Sequence, residues 1–255
     1  MINGRRAIAT ISARMGSTRL PGKVLMPLSG EPVLVRIVER VSRSKYFDDI
    51  VIATSTNPGD DKIEAFCNER GYHCYRGSED DVLARVYEAA KSCDADIVYR
   101  GMGDSPLVDH RIVDDLLEKL VDGNYDFVSN EMGDAPVPDG FDATVFTRSS
   151  LEDGYNEATH PEMREHVTVH IKTNPKRYKI LALKAEGEMI FPGLRLTLDT
   201  AQDYEVLCAV FNELYPKDHD FSARDVINFL KVRHDIASIN AEVKQKVPTL
   251  LDREK

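Results

Sequence analysis

The chain has 255 residues, of which 43 are acidic and 33 basic, so its formal net charge is -10 at pH 7. This balance argues against a nucleic-acid partner, which would require a basic binding face. No apolar run approaches the roughly 18 residues of a membrane span and no stretch has the order of a signal peptide, so we expect a cytoplasmic protein without a membrane partner. The four cysteines show no CxxC spacing and no metal-ligand cluster, which favours reduced thiols.

The first half of the chain alternates short apolar segments with helical patterns. Strands are predicted at five segments rich in β-branched or aromatic residues, namely Ala7–Ser12, Ile50–Thr54, His73–Arg76, Ile97–Arg100 and Phe127–Asn130. Apolar residues at helical spacing predict helices between them, near 33–41, 63–67, 82–90 and 112–120. This alternation predicts an α/β fold with a mostly parallel sheet flanked by helices, in which ligands bind beyond the carboxyl ends of the strands.

Downstream of Asn130 the pattern becomes irregular. The predicted elements are a strand at Ala143–Thr147, helices near 151–158 and 164–172, a strand pair at Lys179–Leu183 and Leu194–Leu198, and helices near 201–214 and 222–232, before a polar tail. Because no clean linker interrupts the chain, we expect one domain over residues 1–255. A small inserted lobe is expected at about 131–190.

One loop is positively charged although the chain as a whole is acidic. The first acidic residue is Glu31, and the run Ala-Arg-Met-Gly-Ser-Thr-Arg-Leu-Pro-Gly-Lys at residues 13–23 follows the first predicted strand directly. Arg14, Arg19 and Lys23 supply charge suited to phosphate, and the glycines let a ligand approach the backbone. The run is neither a Walker A loop nor a GxGxxG motif. It favours a small polyanion, such as a nucleoside triphosphate, over the alternative of a solvated loop with chance charges.

Two aspartates, Asp104 and Asp199, each follow a predicted strand. Taken alone, each could be a turn or capping residue, and Thr200 could cap the helix that follows Asp199. Together with the basic loop they have the parts of a phosphoryl or nucleotidyl transfer site, in which carboxylates hold Mg²⁺.

The histidines carry less information. His166 and His170 share helical spacing but lack a third zinc ligand, so an ordinary helix face is favoured, although His166 could contact substrate. The other histidines, His73 among them, are isolated in sequence and are assigned no role.

An ordered set of motifs resembles the nucleotide-sugar cytidylyltransferases. The resemblance is strongest to the branch typified by spore coat polysaccharide biosynthesis protein F, which is related to the CMP-KDO and CMP-sialate synthetases. The matching segments are residues 13–23, 52–55, 76–85, 103–107, 139–142, 164–168 and 195–200, within a region of roughly 6–215. The run that ends at Lys23 is the most specific of them.

This resemblance implies a GT-A-like (Rossmann-like) α/β fold, CTP as donor, Mg²⁺ as cofactor and a homodimer built through the inserted lobe. It implies that the loop residues Ala13, Arg14, Gly16, Ser17, Arg19 and Lys23 bind the nucleotide, chiefly its triphosphate. Asp104 and Asp199 would hold Mg²⁺. By the same resemblance, Thr54, Ser55, Arg76 and Arg85 would lie near the nucleoside, while Asp139, Asp142 and His166 would face the acceptor.

The expected reaction is transfer of CMP from CTP to a sugar or sugar-acid acceptor with release of pyrophosphate, for cell-surface polysaccharide synthesis. Arg14, Lys23, Asp104 and Asp199 are the expected catalytic residues. The acceptor stays open, because similar proteins often have an acidic residue in place of Thr144 and a cysteine in place of Ser105. Two alternatives remain: a sugar-1-phosphate nucleotidyltransferase using another triphosphate, and a nucleotide-binding protein without catalysis. A GT-A glycosyltransferase is less favoured, since no DxD stands at a strand end.

Overall fold

The computed structural model describes residues 1–132 and 136–244. Its strands are β1 Ala7–Ser12, β2 Pro27–Leu28, β3 Glu31–Pro32, β4 Phe47–Ser55, β5 His73–Gly77, β6 Ile97–Met102, β7 Phe127–Ser129, β8 Thr144–Thr147 and β9 Ile180–Ala182. Its helices are α1 Val33–Val41, α2 Asp61–Arg70, α3 Val82–Ser92, α4 His110–Asp122, α5 Arg148–Glu157, α6 Pro161–Glu165, α7 Val169–Lys172, α8 Ala201–Leu214, α9 Ala223–Val232 and α10 His234–Ala237. Short 3₁₀ turns occupy Lys23–Leu25, Pro58–Asp60 and Gly187–Met189.

Seven strands form the central sheet in the order β5-β4-β1-β6-β8-β7-β9. The pairs β4–β5, β1–β4, β1–β6 and β7–β9 are parallel, while β8 runs antiparallel to both β6 and β7. The predicted α/β class with a mostly parallel sheet flanked by helices is therefore confirmed. From β1 the chain builds outward through β4 and β5 and then returns to β6 on the other side of β1. The connections thus change direction between β1 and β6, which is where open α/β sheets bind ligands.

Alternating residues of the strands supply two apolar cores, one on each face of the sheet. Ile11 and Ile52 belong to the core that includes residues of α1, α4, α8 and α9, whereas Ile8, Val51 and Val98 belong to the core that includes residues of α3 and α5. Because both faces are covered, the strands read as nearly continuous apolar runs.

Two predictions for the second half of the chain are wrong. Leu194–Leu198 forms no strand, because only Arg195 makes an isolated bridge, to Asp139, and β9 takes the edge of the sheet instead. Arg195 and Thr197 are buried like the leucines beside them, so the alternation does not separate core from solvent. The helix predicted near 164–172 is two short helices, α6 and α7, divided at residues 166–168.

The single domain and its lobe at 131–190 remain predictions. Residues 133–135 of that lobe and residues 245–255 of the polar tail lie outside the described residues. Over the part of the chain that is described, no helix combines the length and apolarity that a membrane crossing requires.

Candidate active site

A cavity of about 560 Å³ opens at the carboxyl ends of β1 and β6. The residues of the site predicted from sequence that line it are Ala13, Arg14, Ser17, Arg19, Lys23, Arg85, Asp104, His166 and Asp199. The basic loop and the two aspartates therefore meet at one edge of the sheet, as the strand-end positions indicated.

The basic loop is held in shape by its own backbone and by an acidic residue from the next connection. The carbonyl of Met15 accepts hydrogen bonds from the N–H groups of Ser17 and Gly22, both at 3.0 Å. Gly22 has a φ of +73°, a left-handed conformation that favours glycine, and the turn it makes leads into Lys23. The Met15 N–H donates to Asp60 Oδ1 at 2.7 Å, so the loop is also anchored to the segment after β4.

Asp104 is brought to this loop by a close contact between the ends of β1 and β6. The Gly103 N–H donates to the Ser12 carbonyl at 2.8 Å, and a Cβ on Gly103 would lie only 2.8 Å from that same oxygen. Only glycine fits this position without displacing backbone. Asp104 is not the cap of α4, since Asp109 fills that role.

Asp199 is positioned from both sides by hydrogen bonds. The Leu198 N–H donates to the Asp104 carbonyl at 2.7 Å, and Asp203 Oδ2 accepts from the Asp199 N–H at 3.0 Å. Asp203 also completes a capping box with Thr200 at the start of α8. The other oxygen of Asp203 accepts from Asn240 Nδ2 at 2.8 Å, so a distant buried amide supports this turn.

Lys23 joins the two predicted metal ligands. Its Nζ lies 2.8 Å from Asp104 Oδ2 and 2.8 Å from Asp199 Oδ1. Asp199 Oδ2 receives two further cations, Arg19 Nη2 at 2.9 Å and Arg195 Nη2 at 2.5 Å. Burial alone would raise the pKa of Asp199, but the Lys23 hydrogen bond and the charges around it bring that pKa below its usual value.

Three other arginines line the cavity without such carboxylate partners. Arg14 forms no hydrogen bond or ion pair with residues 1–132 or 136–244. Arg85 donates through Nη1 to the Ser78 carbonyl at 2.5 Å, but its Nε is buried without a partner among these residues, as is the Nε of Arg100. Burial, together with the nearby charge of Arg14, lowers the pKa of Arg85.

Sequence reasoning missed several lining residues, of which Arg100 is the most informative. Arg100 is the one charged residue of β6, whose other residues are Ile, Val, Tyr, Gly and Met. A charge inside a central strand could have indicated that this residue contributes to a site. Glu79, Asp80 and Glu165, which lie within the matching segments 76–85 and 164–168, also line the cavity.

His166 lies at the end of α6 and faces the cavity, whereas His170 lies in α7 and packs edge-on against Tyr178. The two do not share one helix face, so that interpretation is wrong. Burial lowers the pKa of His166, and nearby Arg100 and Lys172 lower it further.

The structure does not bring every predicted site residue to the cavity. The residues outside its lining are Gly16, Thr54, Ser55, Arg76, Asp139 and Asp142. Arg76 is engaged by Asp61 and Glu64, each at 2.7 Å, and Thr54 and Ser55 are fully buried. Ser55 donates to Asp60 and so supports the loop rather than lining the cavity.

Asp139 and Asp142 lie on the segment that runs beside residues 194–198. The Asp139 carbonyl accepts the Leu196 N–H at 2.7 Å, and Asp142 Oδ1 accepts the Gly140 N–H at 2.8 Å. Both residues contribute hydrogen bonds to this turn and neither lines the cavity, so their contact with the acceptor stays a prediction.

The cationic loop lies where the connections of the sheet change direction, and two aspartates face it. This is the arrangement of an enzyme that handles a nucleotide phosphate. A family model described as cytidylyltransferase matches residues 8–222. The chain therefore belongs to the cytidylyltransferase family and is a nucleotidyltransferase.

Individual relatives are similar over nearly their whole length. Spore coat polysaccharide biosynthesis protein SpsF of Bacillus subtilis strain 168 is 35% identical over 235 residues, which cover 89% of this chain and 95% of that protein. An uncharacterized protein of Methanocaldococcus jannaschii is 36% identical over 241 residues, covering 94% of this chain and 97% of that protein. The solved structure of a cytidylyltransferase from Leptospira borgpetersenii has a TM-score of 0.85 at 31% identity, covering 95% and 99% of the two chains.

Proposed function

We propose that this nucleotidyltransferase uses Mg²⁺ and CTP, transfers CMP to a sugar or sugar-acid acceptor, and releases pyrophosphate in polysaccharide biosynthesis. The observation that carries the proposal is the position of Lys23 Nζ, 2.8 Å from both Asp104 and Asp199 in a cavity lined by further cations. The similarity to a spore coat polysaccharide biosynthesis protein supports the biological setting.

The two aspartates fit a magnesium ion. Mg²⁺ is usually bound through one or two carboxylates together with substrate phosphates and waters. Asp104 Oδ1 is buried and has no hydrogen-bond partner in the described part of the chain, so it is an acceptor that a cation would satisfy. When bound there, Mg²⁺ would supply positive charge to the phosphate oxygens. Lys23 would then exchange a carboxylate for a phosphate oxygen, which its flexible stem permits.

The remaining chemistry belongs to the positioned cations. An acceptor hydroxyl oxygen forms a bond to the α-phosphorus while the bond from that phosphorus to the bridging oxygen breaks; pyrophosphate leaves, and the hydroxyl proton passes to solvent. Arg14, Arg19 and Lys23 would bind the triphosphate and stabilise the charge that develops on the leaving pyrophosphate. Lys23 and Arg19 would exchange a carboxylate for phosphate when the nucleotide binds, so the loop would need little further reorganisation at the moment of reaction.

Arg100 bears on the substrate. Its Nε is buried and unpartnered within the described residues, and it faces the same cavity. A buried N–H of a cation favours a ligand acceptor of opposite charge, since a buried donor without a partner is costly. This favours an acceptor with an acidic group, such as a sugar acid, over a neutral sugar.

We further propose a cytoplasmic homodimer that associates through the lobe at 131–190. Ile190, at the end of that lobe, is among the few large apolar side chains that are exposed, at 52%. Sedimentation of the wild type and of Ile190→Glu tests this. A monomer in both would contradict the dimer, and a dimer only in the wild type would support it.

The activity is tested by incubating the chain with Mg²⁺, a library of sugars and sugar acids, and CTP, UTP, GTP, ATP or dTTP in separate reactions. We expect pyrophosphate and a CMP-linked product, detected by mass, only with CTP. Lys23→Ala and Asp104→Asn should abolish the product, while Lys62→Ala and Asp122→Asn, at exposed positions of α2 and α4, should not. Equal turnover with all five nucleotides would contradict the CTP assignment, and normal turnover of the two cavity variants would contradict the site.

A further inference from the structure

Three side chains that are far apart in sequence meet at the opposite end of the sheet from the cavity. Asp49 lies early in β4, His73 is the first residue of β5, and Cys93 follows α3. One ligand atom from each lies within 4.8 Å of the other two. Asp49 is the partner of Ile8, near the amino end of β1, so this cluster belongs to the amino ends of the strands.

The spacing of the cluster matches that of ligands around one ion. Asp49 Oδ2 lies 3.1 Å from His73 Nδ1, and Cys93 Sγ lies 3.5 Å from the same nitrogen. For a tetrahedral zinc-type ion with metal–nitrogen and metal–oxygen bonds of about 2.1 Å and a metal–sulfur bond of about 2.3 Å, these separations should be roughly 3.4 and 3.6 Å. The three side chains therefore stand close to ligation geometry.

The alternative of a cysteine–histidine–aspartate proton relay does not fit. In such a relay the histidine contacts the nucleophile with one ring nitrogen and the carboxylate with the other. Here Nδ1 faces both Asp49 and Cys93. A single ring nitrogen either donates one proton or accepts through one lone pair, so it cannot pass a proton between these two partners. A central cation, by contrast, would satisfy all three ligand atoms at once.

We propose that Asp49, His73 and Cys93 bind one divalent transition-metal ion of the zinc type. Mixed sulfur, nitrogen and oxygen ligands select Zn²⁺, Co²⁺ or Cd²⁺, whereas Mg²⁺ prefers oxygen alone. Cys93 is buried, while the side chains of His73 and Asp49 are 40% and 35% exposed, so the fourth position is open to water. A second cavity, of about 240 Å³, borders Asp49 and His73 but not Cys93.

Charge and proton balance are straightforward. The thiol S–H bond breaks, the metal–sulfur bond forms, and the proton passes to solvent. The carboxylate and thiolate together neutralise the doubly charged ion. Burial raises the pKa of the Cys93 thiol, so without an ion the group stays protonated and one proton is released for each ion bound near pH 7. The nearest cation, Arg6, donates to the Cys93 carbonyl at 2.7 Å and does not contact the sulfur.

The site would tie the end of α3 to two strands that are already paired with each other in the sheet. These strands are β4 and the edge strand β5. An ion that binds the folded chain and not the unfolded one stabilises it by mass action. The expected consequence is a metal-dependent rise in Tm that does not involve the active-site cavity.

The test is a Co²⁺ titration of the full chain after chelator treatment. We expect a sulfur-to-cobalt charge-transfer band and visible bands of tetrahedral intensity that saturate at one ion per chain, with release of one proton. Cys93→Ser and His73→Ala should lose these bands. Cys74→Ser is the matched control, since Cys74 adjoins His73 but packs into the other core, and Cys208→Ser is a second control. Both controls should keep the bands.

A second measurement separates this site from general loss of folding. His73→Ala removes a half-exposed side chain, so it should fold normally and retain full nucleotidyl transfer, yet lose the Zn²⁺-induced rise in Tm. Absence of a sulfur-to-cobalt band in the wild type would overturn the proposal. So would a band that survives in Cys93→Ser, or a Zn²⁺ effect on Tm that His73→Ala leaves intact.

Discussion

The cations of the active-site cavity fall into two sets that differ in what they bind within the protein. Lys23 and Arg19 lie on the carboxylates of Asp104 and Asp199. Arg14, Arg85 and Arg100 form no ion pair with any part of the chain that the structure describes. The first set is neutralised internally and fixes the geometry of the loop. The second leaves positive charge for a ligand to neutralise.

This difference has an energetic meaning. Removing one partner from a buried ion pair leaves an uncompensated charge and is costly to stability. Removing a cation that is already unpaired relieves such a cost, and what is lost is binding. Variants of the ion-paired cations should therefore affect both stability and rate. Variants of the unpaired cations should affect mainly substrate affinity.

The largest effect is expected for Asp104→Asn, which keeps the size of the side chain and removes its charge. A weakened magnesium site would give less stabilisation to the charge on the transferring phosphoryl group, and loss of one such electrostatic contribution typically lowers the rate by about 10²–10³. Steady-state pyrophosphate release should show this fall, with exposed Asp122→Asn as control. A rate close to wild type would remove Asp104 from the catalytic set.

Lys23→Ala should be the most destabilising variant. It leaves two carboxylates, 17% and 14% exposed, facing each other without their shared cation, at a cost of about 2–3 kcal/mol in the free energy of unfolding. Mg²⁺ should recover more stability in this variant than in the wild type, because the competing ammonium is gone. Urea denaturation with and without Mg²⁺ measures both effects, and Lys62→Ala is the control. An equal Mg²⁺ effect in both proteins would show that the ion does not bind between these aspartates.

Arg100→Ala tests the set of unpaired cations. Loss of a charge-assisted hydrogen bond to substrate, worth about 1.5–3 kcal/mol, should raise KM by about 10- to 150-fold. The free energy of unfolding should change little, since no ion pair is broken. Arg224→Ala, on the exposed surface of α9, is the matched control. If Arg100→Ala lowered the free energy of unfolding but left KM unchanged, Arg100 would have a structural role and not a substrate-binding one.

The smallest effect concerns Asp142, a carboxylate near the site for which the structure shows no cation partner among the described residues. Burial, followed by the charges of Glu131, Asp139 and Asp104, raises its pKa to about 6. The folded chain then holds this proton to higher pH than the unfolded chain, so its contribution to stability is present below about pH 4 and is lost as the pH rises through about 6.

Asp142→Asn should therefore be more stable than the wild type at pH 8 and show no gain in stability near pH 4. The amide oxygen still accepts the Gly140 N–H, so the turn is kept. Urea denaturation at the two pH values measures the difference. The same gain at both would show that the carboxylate is not the source.

The positions of residues that lie beyond the ends of strands could be predicted from the sequence. Lys23 and Asp104 could be predicted because each lies shortly beyond a strand whose apolar run is unmistakable, and those strands are parallel neighbours. Asp199 was assigned to the site although the strand before it does not form. Its position depends instead on the Leu198–Asp104 backbone contact and on the cap of α8, which are tertiary contacts.

The partners of long cationic side chains were the part that could not be predicted. Arg76 lies in the matching segment 76–85, yet its guanidinium pairs with Asp61 and Glu64 on α2 and does not line the cavity. Arg100 lies outside the matching segments, yet it lines the cavity. The cluster of Asp49, His73 and Cys93 was likewise invisible, because three separate segments contribute one residue each.

The buried amide of Asn240 lies beyond residues 8–222, the region that defines family membership. It donates to Asp203 Oδ1 at 2.8 Å and to the Arg195 carbonyl at 3.0 Å, and these two residues hold Asp199 in place. A shortened chain that ends after α9 would thus keep every recognisable motif while losing a support of its second aspartate. Sequence surveys based on the motifs alone would score such a truncated homologue as intact.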